Sequence, residues 1–253
     1  MITEAIKGLL LPFFGTSIGA AGIYCVRKDA AHRFSLLLND AAAGVMIAAS
    51  VFSLLLPAFS EAARIGSAAL LTVCGGFLAG AVLLYLWDRV TLRIGRSVGV
   101  GHATRMLVLS VSLHNIPEGM AVGAAYAGLL AGNTTVTAMS TFALSLGIAL
   151  QNLPAGAIIS MPLGAQGMNR NRAFLCGVLS GASEPIAGVL TILLARFAVP
   201  ALPWLLSFAA GAMAYVTGFE LLPQTLLRER RRRGLPCVLG GFLLMTLLDL
   251  LLG

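Results

Sequence analysis

Apolar segments of membrane-spanning length recur from one end of this 253-residue chain to the other, joined by short connections that hold most of its arginine. A hydrocarbon layer about 30 Å thick requires about 20 apolar residues of helix at a rise of about 1.5 Å each. Eight segments meet that requirement, at about 5–26, 40–60, 67–88, 103–130, 137–164, 172–196, 203–226 and 235–252. They are continuous rather than alternating, which argues against a transmembrane β-barrel. Only 11% of residues are charged, against about 25% in soluble domains, and the mean hydropathy is +0.92. With no water to satisfy the backbone, such segments must be helices. The expected fold class is an all-α polytopic membrane protein with eight transmembrane helices, forming a single transmembrane domain over residues 1–253.

The basic residues orient it. With eight spans both termini lie on one side. If that side is extracytoplasmic, every Lys and Arg except Lys7, Arg64 and Arg196 falls on the cytoplasmic side, as the positive-inside rule requires. The net charge of +7 therefore reports topology and not nucleic-acid binding. The Arg230–Arg233 run reads as a topology anchor, with a lipid or partner patch as the rival reading. Trp87 and Trp204 fall near span ends, where an aromatic belt places them. The first apolar run has Arg27-Lys28 after it and few positive charges before it, the reverse of a cleaved signal peptide. Cys25, Cys74, Cys176 and Cys237 are scattered without a CxxC and read as packing residues.

An internal repeat follows the same geometry. Ala42-Ala43-Gly44-Val45-Met46 in span 2 matches Ala209-Ala210-Gly211-Ala212-Met213 in span 7. Gly15-Thr16-Ser17 with Gly22 in span 1 matches Gly181-Ala182-Ser183 with Gly188 in span 6. Spans 1–3 and 6–8 then form two copies of a three-helix unit, inverted because the unit has an odd number of spans. Spans 4 and 5 lie between them, a 3+2+3 inverted-repeat arrangement of the kind that places binding sites at the membrane midplane.

The polar residues converge on that midplane. Span 4 carries His114-Asn115-Ile116-Pro117-Glu118-Gly119, and span 5 carries Gln151-Asn152-Leu153-Pro154-Ala155-Gly156. The spans are antiparallel, and each hexad lies about a dozen residues from its span's start, so the two fall at similar depth. His114 and Glu118 are i,i+4 on one helix face. Span 6 adds Glu184 within Gly181-Ala182-Ser183-Glu184-Pro185. Pro117, Pro154 and Pro185 cannot donate to the carbonyls of Leu113, Leu150 and Gly181, so helices broken around a hydrated site are expected. An ionised side chain at this depth costs about 3 kcal/mol or more unless compensated. Two carboxylates with one imidazole and few cationic partners suggest a bound cation; the rival is protonated, hydrogen-bonded carboxyls serving packing or proton relay. Imidazole nitrogen and carboxylate oxygen suit Zn²⁺, Fe²⁺ or Mn²⁺.

With its His-Asn-x-Pro-Glu-Gly, Gln-Asn-x-Pro, Ser-Glu-Pro and paired Ala-Ala-Gly-x-Met elements, the chain resembles the ZIP (Zrt/Irt-like protein) divalent metal transporters, in their bacterial GufA-like branch. The resemblance covers essentially the whole chain. It implies a transporter domain, metal uptake toward the cytoplasm and a homodimer in a bacterial inner membrane. It also implies an elevator-like motion of spans 1, 4, 5 and 6 against spans 2, 3, 7 and 8. By position it implies a main metal site of His114, Glu118, Gln151 and Glu184. Met46 would be a thioether contributor, where packing is the rival reading, and Asn115 and Asn152 would border a second metal position. Glu220 resembles an exit-site acid, with a helix-end charge as the alternative. The transported substrate would be Zn²⁺, with Fe²⁺, Mn²⁺ or Cd²⁺ also compatible with these donors.

This chain departs from the family at two places. Ala155, i+4 from Gln151, stands where members often have Glu or His. The loop between spans 3 and 4 is short and Arg-rich, with His102 its one histidine, so metal sensing by that loop is not expected. Glu118 and Glu184 supply enough charge for one divalent ion. A second dication would be uncompensated in low dielectric, so one main metal ion is expected. Without a Walker-type motif, ATP does not drive transport directly. An intramembrane metalloenzyme is the competing class, but HExxH and a spare general base are absent, so no enzyme is expected. A non-transporting metal-binding paralogue is the other alternative, raised by Ala155.

Overall fold

Segments this rich in Leu, Ala and Gly close their hydrogen bonds along their own axes, and the chain has no strand among the described residues. The computed structural model describes the backbone at residues 2–25, 28–95, 100–132, 136–165, 167–194, 197, 200–226 and 231–252. Side chains are described there except at 2, 28–35, 64, 65, 67, 91–95, 100–111, 113, 114, 165, 220, 224, 231 and 252.

In chain order the α-helices are α1 (Ile2–Cys25), α2 (Lys28–Ala48), α3 (Leu56–Ala62), α4 (Ala69–Gly95), α5 (Val100–Leu130) and α6 (Ala138–Ala165). They continue with α7 (Arg170–Gly181), α8 (Ser183–Leu193), α9 (Leu202–Val216), α10 (Leu222–Leu226) and α11 (Arg231–Leu252). Seven helical stretches among the described residues are long and apolar enough to cross a membrane: Thr3–Cys25, Leu36–Ala62, Ala69–Val90, Ala138–Gly164, Arg170–Leu193, Leu202–Phe219 and Arg232–Leu251. The 31-residue α5 lies between the third and fourth of these. The chain is thus an all-helical, multi-pass integral membrane protein. Local signals mark the ends. Gly167 turns the chain at φ 96°, and the Asn169 side chain accepts from Asn171 N at 2.9 Å to start α7, as a helix N-cap does.

The prolines act differently from expectation. α5 runs unbroken through Pro117 and α6 through Pro154. Only Pro185 accompanies a break, between α7 and α8 at Ala182, directly before Glu184. A proline removes one donor, and neighbouring helices can satisfy the freed carbonyl without a break. Two other helical rods instead widen by a turn, at Ala49–Leu55 and Thr217–Leu221. In each the hydrogen bond spans five residues, Leu56 N to Val51 O in one and Leu222 N to Thr217 O in the other. Such π turns are frequent at functional sites. A hydroxyl sits at the same place beside each: Ser50 Oγ donates to Met46 O at 2.7 Å and Thr217 Oγ1 to Met213 O at 2.8 Å.

Helices meet in pairs: α1 with α6, α5 with α8, α2 with α11 and α4 with α9. Glycine makes each pair close. A Cβ on Gly44 would overlap the Val238 carbonyl, and one on Gly241 the Ala41 carbonyl. Gly211 meets the Phe77 carbonyl and Gly80 the Phe208 carbonyl in the same manner. Backbone-to-backbone approach of this kind is how helices associate where lipid removes the hydrophobic drive between them. α1, α5, α6, α7 and α8 pack on one another, and so do α2, α3, α4, α9 and α11. The two sets meet chiefly where α2 crosses α6 and α9 crosses α5.

Substituting Val at Gly44 or Gly211 forces its helix pair apart, and each change is expected to destabilise by about 1–3 kcal/mol, as overpacking does. Gly240, with open space around its Cβ position, tolerates Ala. Thermal unfolding in detergent checks the contrast.

Candidate functional site

The crossing of the two helix sets leaves a partly open cavity of about 100 Å³. Asn39, Ala42 and Met46 line it from α2, and Asn115 and Glu118 from α5. Gln151, Asn152, Pro154, Ala155 and Ile158 come from α6, with Val216 and Leu221 closing the wall. Five residues singled out by sequence therefore share one cavity: Met46, Asn115, Glu118, Gln151 and Asn152. All five are buried; Glu184, at 1% exposure, is not among the lining residues but bonds to Asn115, which is. No cationic side chain is among the described lining residues.

Glycine sets these distances too. Gly119, the last residue of the first hexad, leaves no room for a Cβ against the Glu184 carbonyl. That contact draws α5 onto α8 and brings Glu118 and Glu184 to one level. Gly156, the last residue of the second hexad, lies in the same way against the Thr16 carbonyl of α1. Each hexad thus ends in the residue that seats its helix.

Amides pair with the carboxylates. Gln151 Nε2 donates to Glu118 Oε1 at 2.8 Å. Asn115 Nδ2 donates to Glu184 Oε1 at 2.7 Å and to the Ser180 carbonyl at 3.3 Å. That second bond, with Ser183 Oγ donating to Ser180 O at 3.1 Å, satisfies a carbonyl at the α7–α8 break. Gln151 Oε1 and Glu184 Oε2 are buried with no hydrogen-bond partner among the described residues. Buried polar atoms are seldom left so, and oxygens in this position are available as ligands to a cation.

Two residues went unassigned from sequence. Thr16 Oγ1, fully buried on α1, donates to Glu184 Oε1 at 3.1 Å. Thr16 stood in the repeat element Gly15-Thr16-Ser17, and a hydroxyl at that depth was the available signal. Asn39 lines the cavity at the start of the apolar part of α2, where its polarity was the only cue. The side chains of His114 and Glu220 lie outside the described residues. His114 belongs to α5, four residues before Glu118, and Glu220 to the π turn after α9. Among the described residues no three His, Cys, Asp or Glu side chains gather; the described donor set is two carboxylates with amide and thioether neighbours.

Replacing Asn115 by Leu removes one of the two donors to Glu184 Oε1 and one of the two side-chain donors to the Ser180 carbonyl. The expected loss is about 1–2 kcal/mol, the scale of one or two buried hydrogen bonds whose acceptors keep another donor, read as a lower unfolding temperature of metal-free protein.

The family model described as ZIP Zinc transporter matches residues 96–249. The chain is 29% identical to the zinc transporter ZIP11 of Xenopus tropicalis, with 100% of this chain and 98% of that protein aligned. It is 32% identical to the zinc transporter GufA of Myxococcus xanthus, over 80% of this chain and 81% of the relative. It is also 32% identical to the zinc transporter ZIPB of Bordetella bronchiseptica, over 98% and 81%.

Proposed function

The chain belongs to the ZIP zinc-transporter family, in company with bacterial GufA-like members, and we propose that it moves zinc into the cytoplasm through the cavity between α2, α5 and α6. Divalent metal transport follows from the family, and the protein is not an enzyme. The finer reading is that His114, Glu118, Gln151 and Glu184 hold the ion, with Met46 beside it. Asn115 and Asn152 border a position that stays weak or empty. The observation that carries the proposal is the convergence of Met46, Asn115, Glu118, Gln151 and Asn152 on one cavity with no cationic side chain among its described lining residues.

Charge supports one ion. Glu118 and Glu184 together neutralise one dication, and Ala155 lines the cavity where a third carboxylate would stand. A second dication there would be desolvated without compensation. Fe²⁺, Mn²⁺ and Cd²⁺ suit the same donors, and the zinc-transporter relatives favour zinc among them. Glu220 is read as an exit-site acid on the way to the cytoplasm.

The architecture is read as eight transmembrane helices in a single domain, arranged 3+2+3 as an inverted repeat, with both termini extracytoplasmic. The paired helices support it. Exchanging spans 1–3 with 6–8, and span 4 with span 5, turns the α1–α6 pair into α8–α5 and the α2–α11 pair into α9–α4. The two π turns and their hydroxyls exchange in the same way. The two helix sets correspond to the moving and static parts of an elevator. A homodimer in a bacterial inner membrane, surrounded by lipid, completes the reading.

In proteoliposomes loaded with a zinc indicator, His114→Ala and Glu118→Ala are each expected to lower uptake at least tenfold. Uptake unaffected by both refutes the assigned site, and a folded protein without uptake favours a non-transporting metal-binding paralogue. Anomalous scattering from zinc-soaked crystals is expected to show one strong midplane peak, and Ala155→Glu a second. Ligands must shed protons to bind metal, so zinc affinity falls from pH 7.5 to pH 5.5, as titration calorimetry would record.

A further inference from the structure

We propose that Thr16, on α1, is a positioning residue for the metal: with Asn115 it occupies one oxygen of Glu184, so that the other oxygen alone faces the ion. The inference rests on Glu184 being a ligand, as proposed above, and adds a helix that supplies no ligand of its own.

The hydrogen bonds divide the carboxylate unequally. Oε1 accepts from Asn115 Nδ2 at 2.7 Å and from Thr16 Oγ1 at 3.1 Å. Oε2 has no hydrogen-bond partner among the described residues. Asn152 is the other amide beside this carboxylate. Two donors on one oxygen fix the plane of the carboxylate and hold that oxygen away from a metal.

The surroundings keep Thr16 in this role. Its carbonyl lies against Gly156 of α6, with no room between them for a Cβ. Its side chain lies against Gly181 at the α7–α8 break, where a Cβ would sit 2.8 Å from Thr16 Cβ and 3.1 Å from Oγ1. The hydroxyl's other acceptor, the Pro12 carbonyl, is at 3.5 Å, the weaker of its two bonds. The two faces of Thr16 thus touch the helix of Gln151 and the break that presents Glu184. A hydrogen bond to a charged group is worth more than one between neutral groups, so its loss falls on the geometry of the ligand.

The test is zinc uptake by Thr16→Val, which keeps the shape and removes the hydroxyl, beside Thr16→Ser, which keeps the hydroxyl. Thr16→Val is expected to raise KM for zinc about tenfold, the scale of one charge-assisted hydrogen bond, with maximal rate changed by less than about twofold. Thr16→Ser is expected to return KM to within about twofold of the native value. Unchanged KM in Thr16→Val, a fall in maximal rate alone, or failure of Thr16→Ser to restore KM would each overturn the inference. Should Thr16→Val not fold, as judged by monodispersity in detergent, Thr16→Ala serves with the same readouts. Glu184→Ala, run in parallel, separates the two readings. Loss of uptake there with native KM in Thr16→Val removes the role of Thr16 alone, and native uptake there removes the site itself.

Discussion

Two carboxylates buried in a membrane interior, one in the cavity wall and one beside it, with no cationic side chain among the described lining residues, are the constraint on which the rest of this molecule depends. Ionised and unaccompanied, they would oppose folding. The protein surrounds them with neutral donors: the Gln151 amide on Glu118, and the Asn115 amide with the Thr16 hydroxyl on Glu184. These partners stabilise negative charge without cancelling it. A lysine in the same place would close the site permanently. Amides and hydroxyls leave the charge uncancelled, as the proposed passage of a dication requires.

The second requirement is that helices approach closely enough for short side chains to reach one another. Leucine seams would hold the rods too far apart. Glycines set against carbonyls bring α5 to α8 and α6 to α1, and the same device joins α2 to α11 and α4 to α9. The fold is thus two tightly seamed groups of helices with a polar crossing between them. A crossing of this kind is where sliding would change access to a bound ion while leaving the seams intact.

Much of this was legible in the sequence because lipid simplifies the problem. Span lengths follow from membrane thickness, and polar residues deep within apolar runs are conspicuous. His114, Glu118, Gln151 and Glu184 stood out for that reason, and the Gly44 and Gly211 elements each seat a helix pair, α2 on α11 and α9 on α4. The prolines misled, because a missing donor can be compensated by a neighbour that only the packed structure supplies. Pro117 and Pro154 lie within unbroken helices, while the π turns after Met46 and Met213 carry no proline inside them. Thr16 was hidden for a related reason. A threonine in an apolar helix commonly bonds its own backbone, and its longer-range partner, 168 positions away, is visible only once α1 and α8 are side by side.

Gly119 has a consequence that reaches past packing. It sits beside Glu118 and rests on the carbonyl of Glu184, so the gap between the two acids is gauged by main chain against main chain. No side chain lies between to relax or rearrange. The spacing of the two backbones is therefore stiff, and an ion held between these acids would meet a width set partly by a residue that carries no side chain.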